Sequence, residues 1–326
     1  DFSMKKTIAV LAGDGVGPEV MPEAIKALET VGCEFAYKEA LIGGAAWDRY
    51  GCHFPEETKR ICEESDAILF GSVGGPIKEQ GLAKWKDWER NSILQIRQHF
   101  NFQINLRPAK VYSALQEACV LRPSIIEKGV DILCIRELSG DIYFGEHRIE
   151  TMDGLRYAGD VMTYDEQTIA EVAHAAFQAA QRRKKKVTSV DKANVLACSR
   201  LWREVVEEVS QQYPNCHLEH ILVDNCAMQL IRCPSAFDVL LMPNMFGDIL
   251  SDEVSVLAGS LGMLPSASLN KSGFGLYEPS AGSAPDIAGK GIANPIGQIL
   301  SAAMMLEYSF LLIEEAQAIH QAVEKS

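Results

Sequence analysis

The sequence predicts an α/β fold built from two lobes, and three observations indicate it. Short apolar runs of strand length alternate along the chain with amphipathic stretches of helical length. Residues 7–12 form a continuous apolar run that leads through glycines into a helical pattern, which is typical of a strand buried on both faces. The chain of 326 residues is also longer than most single domains.

The remaining elements continue this alternation. The first helix extends to about Val31, and Asp153 and Gly154 give a turn signal between two extended arms. The predicted strands are 34–39, 67–71, one starting at Val130, 186–190, 218–223 and 238–242. The other predicted helices are 56–64, 165–184 and 201–213.

One predicted helix carries two acidic residues on the same face. Residues 238–253, DVLLMPNMFGDILSDE, predict a buried strand, a turn, and a helix that contains Asp248 and Asp252. Two carboxylates four residues apart repel each other unless a cation lies between them, and oxygen ligands suit Mg²⁺ or Mn²⁺. A solvated helix face explains most such pairs. This pair, however, follows the carboxyl end of a strand, where α/β sheets place their ligands.

Other charged and polar side chains stand near strand ends. Arg97 and Arg107 lie on a predicted helix and on the strand after it, and Arg136 ends the buried strand that precedes Tyr143. Buried guanidinium groups need carboxylate partners, from the protein or from a ligand. Lys192 follows a further strand, where desolvation would lower its pKa and favour a role as a base.

Three further segments require interpretation. Asp224 opens a predicted helix, where an N-cap explains it as well as ligand binding does. Residues 278–295, EPSAGSAPDIAGKGIANP, show no helical or strand period, and loops of this length are more often functional than simple connections. Residues 13–19, GDGVGPE, are not a dinucleotide-binding fingerprint, because Pro18 occupies the third glycine position of G-x-G-x-x-G.

Composition and charge argue against several kinds of partner. The 44 acidic and 31 basic residues give a net charge of −13, which disfavours nucleic acid and anionic membranes. No apolar segment is long enough to span a bilayer. The nine cysteines contain no C-x-x-C pair and fit a reducing compartment, so a cytoplasmic location is expected. Asp1, Phe2 and Ser3 look like an appended remnant, and we expect the native chain to begin at Met4.

Several motifs resemble those of one enzyme family. They are LAGDGVGPEV, ILQIR, NLRPAKV, RELSGDIYFGE, TSVDKANVL, NMFGDILSDE, GMLPSASL and GSAPDIAGKGIANP, and the match runs from about residue 5 to residue 325. The chain is similar to the isocitrate/isopropylmalate dehydrogenase family, the metal-dependent β-decarboxylating dehydrogenases, and within it to members that use 3-isopropylmalate. The resemblance implies a two-lobed fold with a central mixed sheet flanked by helices, distinct from a G-x-G-x-x-G Rossmann fold. Residues 1–102 with 259–326 would form the cofactor-binding lobe, and residues 103–258 the lobe for dimerisation, metal and substrate.

The resemblance also implies a substrate and metal site that two subunits of a homodimer share. Mg²⁺ or Mn²⁺ would be bound by Asp248 and Asp252 with Asp224 of the partner subunit. Lys192, again from the partner, would act as the base and Tyr143 as the acid. The substrate would contact arginines that hold its carboxylates, apolar side chains beside its isopropyl group, and one metal ligand. These substrate-binding residues are Arg97, Arg107, Arg136, Ile93, Leu94 and Asp224.

The loop 278–295 would bind NAD in such an enzyme. Asp286 would accept hydrogen bonds from the adenosine ribose hydroxyls and would repel a 2′-phosphate, so that NAD is preferred over NADP. The residues that the resemblance assigns to the cofactor are Gly282, Ser283, Ala284, Pro285, Asp286, Ile287 and Asn294.

The implied reaction is the NAD-dependent oxidative decarboxylation of 3-isopropylmalate to 2-oxoisocaproate in leucine biosynthesis. One alternative is a related dehydrogenase that acts on isocitrate, homoisocitrate, tartrate or malate. The apolar residues Ile93 and Leu94 disfavour isocitrate, because they offer no partner for its third carboxylate. The other alternative is a non-catalytic dimer that binds metal and nucleotide, and such a protein would need neither an acid nor a base.

Three departures from the family pattern stand out. Ala281 replaces the histidine of H-G-S-A-P-D, so we expect a weaker contact with adenine. Ser139 and Asp141 stand where threonine and glycine are usual in the R-E-L-T-G-G motif, which adds a carboxylate near Tyr143 and would raise its pKa. Family members also continue with a further segment beyond the position of Ser326.

Overall fold

The computed structural model describes residues 5–326, in which strands and helices alternate, and the α/β class is confirmed. The expected start at Met4 lies outside the described residues. The chain divides into two compact units. The first unit comprises the residues up to Phe102 together with Ser260–Ser326, and the second unit comprises Gln103–Gly259.

The strands, in chain order, lie in both units, and two strands of the second unit form a separate two-stranded sheet. They are β1 (Thr7–Gly13), β2 (Ala36–Glu39), β3 (Ala67–Ser72), β4 (Ile104–Lys110), β5 (Asp131–Glu137), β6 (His147–Met152), β7 (Leu155–Asp160), β8 (Lys186–Asp191), β9 (His217–Leu222), β10 (Val239–Met242), β11 (Pro265–Leu269) and β12 (Gly275–Pro279).

The α-helices occur mostly between these strands, and short 3₁₀ turns join several of them. They are α1 (Gly17–Thr30), α2 (Gly44–Tyr50), α3 (Glu56–Glu63), α4 (Gln95–His99), α5 (Pro123–Ile126), α6 (Glu166–Gln181), α7 (Ala197–Ser210), α8 (Val223–Arg232), α9 (Asn244–Leu257), α10 (Ile296–Tyr308) and α11 (Ile313–Lys325). Within residues 5–326, none of the helices combines the length and the hydropathy that a membrane span requires.

In the first unit the strands follow the order β2-β1-β3-β12-β11. The β1–β2, β1–β3 and β3–β12 pairs are parallel, whereas β11 and β12 form an antiparallel hairpin. Every residue of β3 is buried, as a strand covered on both faces requires. Helices α1 and α10 pack on this sheet and on each other. The sequence pattern predicted β1, β2 and β3 but neither strand of the β11–β12 hairpin, which lies in a glycine-containing region.

In the second unit the strands follow the order β4-β5-β10-β8-β9. Only the β4–β5 pair is antiparallel among these neighbours. Helix α9 packs on β4 and β5, and α6 packs on β5, β10 and β8. In the β5–β10 register Met242 pairs with Arg136, so both strands end at the same edge of the sheet. The chain segments that follow β5, β8 and β10 therefore start from one edge, where open α/β sheets bind ligands.

Asp14 joins three segments of the first unit. It follows β1, and its carboxylate accepts hydrogen bonds from the N–H groups of Gly44 at 2.8 Å, Ala45 at 2.9 Å and Gly74 at 3.2 Å. Gly44 and Ala45 open α2, whose N-cap, Gly43, has no side chain to accept these bonds. Burial raises the pKa of Asp14, and the three backbone donors oppose this shift.

We predict that Asp14→Ala lowers the free energy of unfolding by about 2–3 kcal/mol, because buried N–H groups lose their acceptor. Urea denaturation measures this change. Asp48→Ala is the matched control, since the Asp48 side chain is 64% exposed and pairs with Lys84 at the surface. Its expected effect is below about 1 kcal/mol. Equal losses in the two variants would contradict the role given to Asp14.

Candidate active site

The two predicted carboxylates lie one turn apart on α9. The helix starts immediately after β10 and the N-cap residue Pro243, as the sequence predicted. The side chain of Asp248 is 41% exposed and that of Asp252 is 74% exposed. Both carboxylates are therefore accessible to a ligand from solvent while they remain fixed to a helix that packs on the sheet.

Each carboxylate pairs with an arginine from the sheet beneath. Arg136, on β5, contacts Asp248 Oδ1 through Nη1 at 2.5 Å, and its Nε donates to Asn244 Oδ1 at 2.9 Å. Arg107, on β4, contacts Asp252 Oδ1 through Nη1 at 3.4 Å. Two of the predicted arginines thus meet the two carboxylates of α9 within the second unit, and each negative charge on this helix is balanced by a positive one.

Tyr143 belongs to the same cluster. Its hydroxyl donates to Asp248 Oδ2 at 2.9 Å, and the Arg136 guanidinium carbon lies 5.4 Å from the centroid of its ring. Asp248 therefore accepts from Arg136 with one oxygen and from Tyr143 with the other. The Asp141 carboxylate accepts hydrogen bonds from the backbone N–H groups of Ile142 and Met245, and its expected effect on the pKa of Tyr143 stays a prediction.

A buried polar network supports this cluster, and the sequence analysis did not predict it. Glu137 accepts hydrogen bonds from Ser139 N at 2.6 Å, Gly140 N at 2.8 Å and the Tyr164 hydroxyl at 2.9 Å. Tyr164 in turn accepts from Asn244 N at 2.9 Å. Burial raises the pKa of Glu137, and its donors oppose the shift. The network joins the end of β5 to the first turn of α9, so it fixes Arg136 and Asp248 relative to each other.

Lys192 and Asp224 form a second pair in the same unit. The Lys192 ammonium lies 2.5 Å from Asp224 Oδ1, and this hydrogen bond lowers the pKa of Asp224. The Lys192 side chain is 28% exposed. One expectation is corrected. Asp224 is not an N-cap, because α8 starts at Val223 with Leu222 as its N-cap, which places Asp224 in the first turn. A carboxylate there is still favoured by the helix dipole.

The acidic side chains of α9 offer oxygen ligands that suit a divalent cation. Among residues 5–326, no three His, Cys, Asp or Glu side chains lie together as a metal site. Asp248 and Asp252 supply accessible oxygen atoms of the kind that Mg²⁺ and Mn²⁺ prefer. These two side chains would supply part of the coordination of such an ion.

The other predicted substrate residues lie in the first unit. Arg97, on α4, has a guanidinium nitrogen 3.5 Å from Glu278 Oε1. Ile93 and Leu94 belong to a π-helical turn, Arg90–Leu94, that precedes α4. Such turns occur often at functional sites. Ile93 is buried, whereas Leu94 is only half-buried, so Leu94 is the more accessible of the two.

The predicted cofactor loop, 278–295, is irregular only from residue 280, because Glu278 and Pro279 belong to strand β12. The irregular part is anchored to the protein. Ser283 is buried and its carbonyl accepts from Val16 N at 2.9 Å. A Cβ on Gly15 would lie 1.9 Å from that carbonyl oxygen, so the glycine at this turn is required for packing within the protein. Glu19, at the start of α1, accepts from the N–H groups of Gly289 and Gly291. Sequence reasoning placed Gly15 in a tight turn between the first strand and the first helix but gave no role to Glu19.

The exposed side chains of this loop fit a dinucleotide. Asp286 and Asn294 are exposed, and Ala284 has a positive φ of +40°. Gly282 is also exposed, and Pro285 and Ile287 are half-buried. An exposed carboxylate can accept hydrogen bonds from ribose hydroxyls, and the amide of Asn294 offers both a donor and an acceptor. Unlike the other residues of the loop assigned to the cofactor, Ser283 is buried, so its side chain is poorly accessible to a ligand.

Sequence comparison places the chain among enzymes of one kind. A family model described as isocitrate/isopropylmalate dehydrogenase matches residues 7–326. A 3-isopropylmalate dehydrogenase from Haemophilus influenzae is 57% identical over 98% of this chain and 90% of its own length. One from Colwellia psychrerythraea is 55% identical over 98% of this chain and 89% of its own length.

Solved structures agree with this result. An isocitrate dehydrogenase from Methylococcus capsulatus has a TM-score of 0.86 at 32% identity, over 98% of this chain and 90% of that chain. A β-decarboxylating dehydrogenase from Thermococcus kodakarensis has a TM-score of 0.75 at 33% identity, over 98% and 88%. The family predicted from the sequence motifs is thus confirmed. The chain belongs to the isocitrate/isopropylmalate dehydrogenase family, whose members are in general metal-dependent, NAD-using dehydrogenases.

Proposed function

We propose that the chain catalyses the NAD-dependent oxidative decarboxylation of 3-isopropylmalate to 2-oxoisocaproate, a step of leucine biosynthesis. The observation that carries the proposal is the cluster of Arg136, Asp248 and Tyr143 in a chain more than half identical to curated 3-isopropylmalate dehydrogenases. Relatives that act on isocitrate are less similar in sequence, and neither they nor a non-catalytic binding protein is favoured.

Arginines would hold the carboxylates of the substrate. Arg107 and Arg136 already contact aspartate carboxylates, and a guanidinium group can form two parallel hydrogen bonds to such a group. Arg97 keeps the same role by resemblance. Leu94, and to a lesser degree Ile93, would pack against the isopropyl group, where an additional carboxylate would lack a partner.

Asp248 and Asp252 would hold Mg²⁺ or Mn²⁺ together with Asp224 of a partner subunit. When bound, the ion supplies Lewis acidity that makes the substrate hydroxyl easier to deprotonate and stabilises negative charge on the same oxygen later. The loop after β12 would hold NAD, which would supply the acceptor for the hydride from C2.

The side chains of the protein would move the protons. Lys192, held by Asp224 at 2.5 Å, would remove the proton of the C2 hydroxyl. Oxidation leaves a ketone at C2, beside the carbon that bears the departing carboxylate. After CO₂ is lost, the Tyr143 hydroxyl, which donates to Asp248 Oδ2, would supply a proton to that carbon.

The loop from residue 280 to residue 295 would bind NAD. Its anchors, the Ser283 carbonyl and the Gly289 and Gly291 amides, contact the turn after β1 and the start of α1. These contacts leave Asp286 exposed to accept hydrogen bonds from the adenosine ribose, and its negative charge would disfavour the 2′-phosphate of NADP.

The active unit would be a homodimer in the cytoplasm that shares its sites between subunits. Apolar side chains stand exposed on α8 and α9, the helices that carry the predicted metal ligands, and such a surface favours association. They are Met228, Ile231, Ile249 and Val256. All nine cysteines are free, which suits a reducing compartment.

The proposed function predicts metal-dependent NADH formation with 3-isopropylmalate as the preferred substrate. We expect kcat/KM to fall by at least about tenfold for D-malate, which lacks the isopropyl group, and further for isocitrate. Absorbance of NADH, with and without Mn²⁺, measures both. Lys192→Met is the control for reaction at this site and should show no turnover. Preference for isocitrate, or turnover independent of metal, would contradict the proposal.

Asp248→Asn should weaken Mn²⁺ binding by at least about tenfold. Substitutions of residues that only contact metal ligands already cause losses of this size. Calorimetric titration with MnCl₂ in the absence of substrate measures the affinity. Glu253→Gln is the matched control, since this residue is an acid on the same helix that has no assigned ligand role. The assignment is wrong if both variants bind Mn²⁺ as the wild type does.

A further inference from the structure

Asp141 is a buried aspartate in a backbone conformation that side chains seldom adopt. Its φ is +74°, in the left-handed region, where a residue other than glycine is strained. The residue is also fully buried, at 0% exposure, and a buried carboxyl group is unfavourable without hydrogen-bond partners. Contacts of the side chain must therefore offset both effects.

Both oxygens of the Asp141 carboxylate accept hydrogen bonds from the backbone. Oδ1 accepts from Ile142 N at 2.7 Å, and Oδ2 accepts from Met245 N at 3.0 Å. Met245 lies in the first turn of α9, whose N-cap residue Pro243 provides no side-chain acceptor. Asp141 therefore caps α9 from a different chain segment, and a negative charge at this helix end is favourable.

These bonds join the loop that carries Tyr143 to the helix that carries Asp248. Tyr143 follows Asp141 by two residues, and Asp248 follows Met245 by about one turn. A second connection, from Asn244 Nδ2 to Gly140 O at 3.1 Å, links the same loop to the same helical turn. The Tyr143 hydroxyl meets Asp248 Oδ2 at 2.9 Å directly beside these two connections.

We propose that Asp141 is a positioning residue for Tyr143. Its carboxylate holds the loop 140–143 against the first turn of α9, so that the Tyr143 hydroxyl stays at Asp248. Asp141 is buried and acts only through Tyr143. This role rests on the proposed function only for the acid role of Tyr143. The connection between the loop and α9 consists of the hydrogen bonds described above.

The test compares Asp141→Gly with the matched variant Asp153→Gly. Asp153 is also an aspartate with a positive φ, +51°, but it is exposed in the turn between β6 and β7. Glycine suits the backbone at both positions, so the comparison isolates the buried carboxylate. Amide hydrogen exchange at Ile142 and Met245 should rise at least about tenfold in Asp141→Gly and stay unchanged in Asp153→Gly.

Kinetics then separate positioning from a general effect on the fold. In the wild-type background Asp141→Gly should lower kcat at least about tenfold and change the KM for 3-isopropylmalate by less than about threefold. In a Tyr143→Phe background the same change should alter kcat by less than about twofold, because the residue it positions has lost its hydroxyl. Asp141→Asn keeps one acceptor oxygen and tolerates the backbone, so it should restore part of kcat.

Two results would overturn the inference. One is an unchanged exchange rate at Met245 in Asp141→Gly, and the other is an equal loss of kcat in both backgrounds. If the wild type turned over no substrate, the proposed function would fail, and hydrogen exchange alone would decide whether Asp141 holds the loop on α9.

Discussion

The contact between Arg136 and Asp248 is the interaction on which the rest of the candidate site depends. The Arg136 side chain is only 3% exposed, and a buried guanidinium without a carboxylate would destabilise the fold by roughly 3–5 kcal/mol. Asp248 meets it at 2.5 Å, and Asn244 accepts from its Nε. Since both partners lie on α9, the charge on β5 fixes how this helix sits on the sheet. Asp252 and Arg107 repeat the arrangement at longer range.

This balance of charge also explains why the site suits an anionic substrate and a cation together. Two carboxylates and two guanidinium groups satisfy each other within the second unit. On binding, a divalent cation can replace the arginines as the partner of the aspartates, and the carboxylates of a substrate can replace the aspartates as partners of the arginines. No buried charge is then left without an opposite charge. The hydrogen bonds among Glu137, Tyr164 and Asn244 join the end of β5 to the first turn of α9, so this strand and this helix keep their relative position.

The elements of the site were predictable from local pattern, but its long-range contacts were not. Continuous apolar runs predicted β5, β8 and β10, and the spacing of Asp248 and Asp252 predicted a shared helix face. The contact of Arg136 with Asp248 spans 112 residues of sequence, and neither a period of 2 nor one of 3.6 residues reports on such a pair. The interpretation of Asp224 as an N-cap was wrong. The pattern suggested that α8 opens at Asp224, whereas the helix starts one residue earlier, at Val223.

We propose that α9 of one chain forms a complete site only with Lys192 and Asp224 of another. Mixed dimers test it most directly. Lys192→Met and Asp248→Asn chains, each inactive as homodimers, are co-expressed with different affinity tags, and the heterodimer is purified through both. Shared sites place both defects in one site and leave the other intact, so the heterodimer should show about half of wild-type activity. A heterodimer without activity would mean that each chain builds its own site, and the account would be wrong.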